Sequence, residues 1–84
     1  MTVKVRFFAA LRERLGTESL DLPVSTSIDL NGLLGLIQQR LGDRAIEVLR
    51  APTVRVALNK EFVTHECLIR DGDEIAFMPP ITGG

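Results

Sequence analysis

The strongest indication of the fold is the stretch EIAFM at residues 74–78, followed by PPITGG at residues 79–84. Side chains alternate between the two faces of a strand, so this run predicts a final strand with Ile75 and Phe77 facing the core and Met78 facing out. The two prolines that follow fix φ and lack amide donors. They therefore end the strand and stiffen the exit of the chain.

The stretch closes with two glycines, Gly83 and Gly84. Glycine has no Cβ and loses the most backbone entropy on ordering, so this pair adds nothing to a folded core. It does form the slimmest peptide that a chain can offer, with a carboxylate that can enter a narrow channel. We therefore expect a domain over residues 1–78, a flexible tail over residues 79–84 and a functional carboxylate at Gly84. The alternative is a frayed terminus without a function.

The residues before this stretch predict short strands and one principal helix. Residues 3–7 alternate apolar and polar, which indicates a first strand that leaves Phe8 on the side away from the core. A capping box at residues 26–29 precedes an apolar stripe at helical spacing, formed by Leu30, Leu33, Leu34, Ile37 and Leu41. Weaker strand patterns lie near residues 18–22, 54–58 and 61–63, and a short helix is expected over residues 9–15. The sum is an α+β fold, in which a mixed sheet of four or five strands packs against one main helix.

Two large apolar residues, Phe8 and Met78, are expected on the wrong face of their strands for a simple core. Phe62 is a third candidate, in a short segment whose register the sequence leaves open. If the first and last strands pair, these side chains can form one apolar patch beside the tail, and such patches usually mark interaction surfaces. The alternative is that the helix or the loops cover them.

Length and composition exclude several classes of function. The chain has 84 residues, enough for one domain, and its formal net charge of −1 argues against a nucleic-acid partner. No apolar run approaches the roughly 20 residues needed to span a membrane, and the N-terminus enters a strand pattern at once rather than a signal peptide. The single cysteine, Cys67, fits the reducing cytoplasm. We expect a cytoplasmic protein that binds neither nucleic acid nor membrane.

The sequence offers no self-sufficient active site. One histidine, His65, and one cysteine cannot form a metal cluster, and no glycine-rich phosphate loop is present. A nucleophilic pair of Cys67 and His65 is conceivable, but no third group to orient it is evident. The alternative treats Cys67 as a small buried hydrophobic residue and His65 as a turn residue.

Three segments together resemble a known family: VRFFAALRE at residues 5–13, DGDEIA at residues 71–76 and the ending PPITGG. They are similar to the molybdopterin synthase small subunits, the MoaD-type sulfur carriers of the ubiquitin-like β-grasp fold. The resemblance covers the whole chain. Two departures are Met78, where the family often has an aromatic residue, and a main helix that contains Asn31, Gly32 and Gly35.

The resemblance implies a cycle of chemistry at Gly84. A separate ATP-dependent activating enzyme would adenylate the carboxylate, and a sulfur donor protein would convert it to a thiocarboxylate. The sulfur would pass to cyclic pyranopterin monophosphate in the active site of the large subunit, where two transfers build the dithiolene of molybdopterin. The chain itself would bind no cofactor or metal. The family further implies a heterotetramer with two large subunits at the centre and one small subunit at each end.

The resemblance also assigns roles to further residues. Gly83 would keep the approach to the active site slim, and the residues before it would present the tail, namely Pro79, Pro80, Ile81 and Thr82. The side chains of Phe8, Phe62 and Met78 would dock the body onto the partner. Two alternatives stay open: another ubiquitin-like sulfur carrier or modifier, of the thiamine pathway or of lysine conjugation, and a non-catalytic β-grasp interaction module.

Overall fold

The computed structural model describes residues 2–63 and 67–79. Several site predictions therefore lie outside the described residues: His65, Pro80, Ile81, Thr82, Gly83 and Gly84. The strands are β1 (Thr2–Phe7), β2 (Ser19–Pro23), β3 (Ile28–Asp29), β4 (Arg55–Leu58), β5 (Glu61–Val63), β6 (Leu68–Ile69) and β7 (Glu74–Met78). The helices are α1 (Ala9–Leu15), α2 (Leu30–Leu41) and α3 (Asp43–Leu49).

Five of the strands form one mixed sheet in the order β2-β1-β7-β4-β5. The central pair, β1 and β7, is parallel, while β1·β2, β7·β4 and β4·β5 are antiparallel. The predicted α+β architecture with a mixed sheet is thereby confirmed. The sequence did not predict β3 and β6, which pair with each other in a separate two-stranded sheet, because two residues are too few to show a period.

The core lies between one face of the five-stranded sheet and the helices. Phe7 and Phe77 are opposite each other in the parallel pair, and their stacked rings have centroids 5.8 Å apart. Residues of all three helices join the same buried cluster, so we call this the inner face and the opposite one the outer face. The cluster consists of Val3, Val5, Phe7, Leu11, Leu22, Val24, Leu30, Leu33, Leu34, Ile37, Ile46, Leu49, Ile69, Ile75 and Phe77.

The ends of the helices follow local sequence signals, with one difference from expectation. Gly16 ends α1 with a φ of 72°, a left-handed conformation that glycine adopts without strain. At the start of α2, Asp29 is the N-cap, and its Oδ1 accepts a hydrogen bond of 2.8 Å from the backbone N–H of Gly32. Of the two capping side chains predicted in residues 26–29, Thr26 and Asp29, the aspartate is the one that caps the helix. It directly precedes the first helical residue.

At the end of the sheet remote from the tail, side chains fix the start of β7. Asn59 lies in the β4–β5 turn with a φ of 50°, and its Nδ2 donates to Asp73 Oδ1 at 3.0 Å. The backbone N–H of Glu74 donates to Asn59 Oδ1 at 2.9 Å, and that of Arg70 donates to Asp73 Oδ2 at 2.8 Å. These bonds to the charged carboxylate, with that from Asn59 foremost, lower the pKa of Asp73.

β7 ends at Met78 and is followed by Pro79. A proline cannot donate to a ladder, so the central strand loses its pairing here and the chain leaves the sheet between β1 and β4. The division into a domain over residues 1–78 and a tail over residues 79–84 stays a prediction. In the part of the chain that the structure describes, no helix is long and apolar enough to cross a membrane.

Candidate functional site: the outer face of the sheet beside the tail

Phe8 and Met78 both lie on the outer face. Met78 is the registered partner of Arg55 on β4, two residues beyond Ala76 on the same face of β7. Phe8 has an extended backbone (φ −112°, ψ 151°), and its N–H donates to the carbonyl oxygen of Phe77 at 3.1 Å. The parallel register therefore continues by one residue and sets Phe8 beside Met78. Both side chains are half-buried, on the face that the alternation predicted.

The structure supplies the register of Phe62 that the sequence left open. Phe62 is opposite Ala57 on β4, and Ala57 is in turn opposite Ala76 on β7. It therefore lies on the outer face with Phe8 and Met78. Phe62 is 62% exposed. Two large hydrophobic residues are exposed in the described ranges, and Phe62 is the more exposed of the two. The structure thus brings three predicted docking residues to one face, at the end from which the tail leaves.

Two alanines form the floor between these large side chains. A row of registered residues crosses four strands in the order Arg6, Ala76, Ala57, Phe62. Although the helices pack on the other face, Ala57 is only 4% and Ala76 only 9% exposed, so larger neighbours already shield them. The result is a shallow apolar centre with bulkier side chains around it.

Two arginines flank this centre, and each is stacked on one of the phenylalanines. The Cζ of Arg6 lies 4.9 Å from the centroid of the Phe8 ring, and the Cζ of Arg55 lies 5.0 Å from that of Phe62. Such cation–π contacts contribute about 0.5–1 kcal/mol at exposed positions. We name this surface the docking face, consisting of Arg6, Phe8, Arg55, Ala57, Phe62, Ala76 and Met78.

Sequence reasoning missed both arginines. Arg6 is two residues before Phe8 on an extended segment, so the alternation that placed Phe8 outward also placed Arg6 there. That signal was present in the sequence. The stacking of Arg55 on Phe62 has no such signal, because it depends on the hairpin register of β4 and β5.

The tail begins at the edge of the docking face. Pro79 is half-buried and directly follows Met78, which lies in line with Phe8 and Arg55. At about 3.4 Å per extended residue, the five residues after Pro79 reach at most about 17 Å. The functional carboxylate predicted at Gly84 would therefore lie within that distance of Pro79. The roles of Gly84 and the other tail residues stay predictions.

The remaining sequence candidates do not form a second site in the described residues. Cys67 is half-buried and packs against the core cluster, which agrees with a hydrophobic role although it is less buried than expected. Burial raises the pKa of its thiol, and the charge of Asp29 adds to this, so the reactive thiolate is disfavoured. Within residues 2–63 and 67–79, no group of three His, Cys, Asp or Glu side chains is placed to hold a metal ion.

The inner side of the sheet has a partly open groove of about 330 Å³ between α2, α3 and β4. Its walls include Leu34, Leu49, Val56 and Phe77, with Asn31 and Arg50 among the polar residues. The groove therefore offers both apolar and polar contact.

Comparison with known proteins shows similarity along the whole chain. The model of the ThiS family matches residues 5–84. The molybdopterin synthase sulfur carrier subunit of Escherichia coli is 34% identical over 84 residues, with 98% of this chain and 99% of that protein covered.

Solved structures support the same fold. SAMP1 from Haloferax volcanii superposes with a TM-score of 0.82 at 22% identity, and all of both chains is covered. A protein–protein complex of subunits 1 and 2 of molybdopterin-converting factor from Helicobacter pylori contains a chain that matches with a TM-score of 0.68 at 26% identity, again over all of both chains. The expected ubiquitin-like β-grasp fold is confirmed.

Proposed function

Since this chain belongs to the ThiS family and resembles molybdopterin synthase sulfur carrier subunits along its length, we propose that it carries sulfur for molybdopterin synthesis. The observation that carries the proposal is the position of the docking face. The last strand ends within this face, so the tail leaves the domain directly beside the surface that meets a partner. A body that docks there delivers Gly84 into the partner's active site.

The reacting group is the carboxylate of Gly84. An α-carboxyl group has a pKa of about 3.5 and is an anion at neutral pH, so it is a poor electrophile. An activating enzyme joins it to the AMP moiety of ATP with release of pyrophosphate. The terminal sulfur of a donor-protein persulfide then attacks the acyl carbon and AMP leaves, which yields an acyl disulfide. A thiol attacks the donor's sulfur, the S–S bond breaks with formation of a disulfide between that thiol and the donor, and the C-terminal thiocarboxylate is released. The thiocarboxylate sulfur then bonds to cyclic pyranopterin monophosphate, and water cleaves the acyl–sulfur bond, which leaves the sulfur on the pterin and returns the carboxylate for another cycle.

The residues of this chain dock the domain onto the partner, orient it and carry the tail into the partner's active site. Phe8, Phe62 and Met78 supply apolar contact on the docking face, and their burial by a partner fixes the body relative to the active site. Pro79 and Pro80 limit the directions in which the tail leaves, which lowers the entropy lost when it inserts. Ile81 and Thr82 contact the walls of the channel, and Gly83 leaves room for backbone contacts.

The partner that accepts the sulfur is the large subunit of molybdopterin synthase. The similarity to a chain in the complex of subunits 1 and 2 of molybdopterin-converting factor supports this partner. We further propose a cytoplasmic heterotetramer with two large subunits at the centre, an activating enzyme that uses ATP, and a separate sulfur donor. General acids, bases and anion-binding groups then come from these partners, and the chain itself holds neither cofactor nor metal.

Intact-mass measurement tests the proposal. After incubation with an activating enzyme, ATP and a sulfur donor, replacement of oxygen by sulfur at an acyl carbon raises the mass by about 16 Da. The thiolated chain, mixed with the large subunit and cyclic pyranopterin monophosphate, then yields molybdopterin. If thiolation occurs but sulfur passes only to a thiamine precursor, or if Gly84 instead becomes linked to lysines, the chain is another type of carrier or a modifier. A chain that is neither thiolated nor linked to lysines is a simple interaction module.

A further inference from the structure

The docking face carries a positive charge that the composition of the chain conceals. The whole chain has a formal net charge of −1, yet in the described ranges the two arginines of the docking face form one ion pair between them, that of Arg6 with Glu74. Arg6 Nη1 lies 3.6 Å from Glu74 Oε1, which is longer than a hydrogen bond. Arg55 forms no ion pair with any residue in the described ranges 2–63 and 67–79. In the part of the chain that the structure describes, the face therefore offers one arginine without an ion pair and one that is weakly paired.

Stacking prepares both arginines for recognition of a carboxylate. A guanidinium that lies against an aromatic ring keeps its N–H donors in the plane of the group, where a carboxylate binds in a bidentate manner. The phenylalanine also restricts the side chain, so less entropy is lost on binding. Phe8 and Phe62 thus act both as apolar contacts and as supports for Arg6 and Arg55.

We propose that Arg6 and Arg55 determine partner specificity, by pairing with two carboxylates that flank an apolar patch on the large subunit. This inference rests on the proposed function and adds the chemistry of the partner surface. The arginines lie on strands separated by β7 and are offset by two residues. With strands about 4.8 Å apart and a rise of about 3.3 Å per residue, their Cα atoms are about 12 Å apart.

The same charges disfavour a second copy of this chain as the occupant of the face. Two docking faces in contact would bring four arginines together around an apolar centre, and like charges at an interface are repelled. An acidic rim on the partner removes this penalty and speeds association. The stacked arginines thus select a partner of opposite charge and reduce self-association of an exposed apolar surface.

Binding of the purified large subunit to Arg6→Met and Arg55→Met variants tests the inference. Methionine keeps the apolar stem but removes the charge. We expect each variant to bind about tenfold more weakly than the unchanged chain. The deficit shrinks as salt is raised from about 0.05 M to about 0.5 M, because screening weakens the lost attraction. Arg6→Lys and Arg55→Lys keep the salt dependence but lose part of the affinity.

Arg44→Met is the matched control, since Arg44 is an exposed arginine on α3, whose buried residues pack against the inner face. It should bind as the unchanged chain does and should still gain sulfur in the mass measurement. If both docking-face variants bind with unchanged affinity and salt dependence while the unchanged chain is thiolated and active, the inference is wrong and the proposed function stands. A chain that is never thiolated overturns the proposed function itself.

Discussion

Replacement of Phe62 by alanine separates a docking role from a structural one. The side chain is 62% exposed in the free chain, so most of its surface is available to a partner. A phenylalanine side chain that exposes about 62% of roughly 200 Å² presents about 120 Å² to the partner. At about 25 cal/mol per Å², its complete burial contributes at most about 3 kcal/mol. We expect an observed loss of binding free energy of about 2 kcal/mol, or nearly 30-fold in Kd.

The stability of the free chain changes far less in this variant. Only the buried third of the side chain and its contact with Arg55 are lost, so the free energy of unfolding falls by about 1 kcal/mol or less. Calorimetric titration with the large subunit gives Kd, and urea denaturation gives the free energy of unfolding.

Leu68→Ala is the matched control for Phe62→Ala. Leu68 is the other exposed large hydrophobic residue in the described ranges, at 49%, and it lies on β6 in the separate two-stranded sheet. This variant should leave Kd unchanged. The reasoning is refuted if Phe62→Ala binds as tightly as the unchanged chain, or if Leu68→Ala loses as much affinity.

Two further predictions concern stability. Gly35→Ala should raise the free energy of unfolding by about 0.5–1 kcal/mol in urea denaturation, because a Cβ there meets nothing within 4 Å and alanine favours the helix. Gly32→Ala should gain less, since its Cβ would lie 3.3 Å from Asp29 Oδ1; an equal gain contradicts this explanation. The lowered pKa of Asp73 stabilises the fold above the ordinary carboxyl pKa of about 3.9, and this contribution is lost as pH falls through the lower value in the folded chain. Thermal unfolding between about pH 2 and pH 6 should show a weaker dependence on pH for Asp73→Asn, and an unchanged pH profile would exclude a contribution from the charged carboxylate of Asp73.

The sequence predicted those features that depend on one strand or helix at a time. Alternation in residues 74–78 placed Ile75 and Phe77 in the core and Met78 outside, as the structure has them. The sequence did not predict which face of the sheet Phe62 lies on, because a three-residue strand gives no independent evidence of which side is buried. The stacked Arg55 was missed for a related reason, since its ring partner is set by the pairing of β4 with β5.

The floor of the docking face shows a second limit of sequence reasoning. Ala57 and Ala76 are distant in the chain and meet only because β7 pairs with β4 as well as with β1. The residues next to each alanine in the sequence do not indicate why a small side chain is needed there. In the folded chain, the small size of both gives the docking face its shallow centre. Likewise, the role of Asp29 as N-cap was contained in the predicted capping box, whereas the precise first helical residue was not.

The central claim is that Gly84 carries sulfur, and the intact mass of the chain tests it most directly. With an activating enzyme, ATP and a sulfur donor, the full-length chain should gain about 16 Da, and the gain should disappear on addition of the large subunit and its pterin substrate. A chain that lacks Gly84 should fold equally well and gain nothing. The account is contradicted if the full-length chain shows no gain in a mixture that thiolates an established carrier.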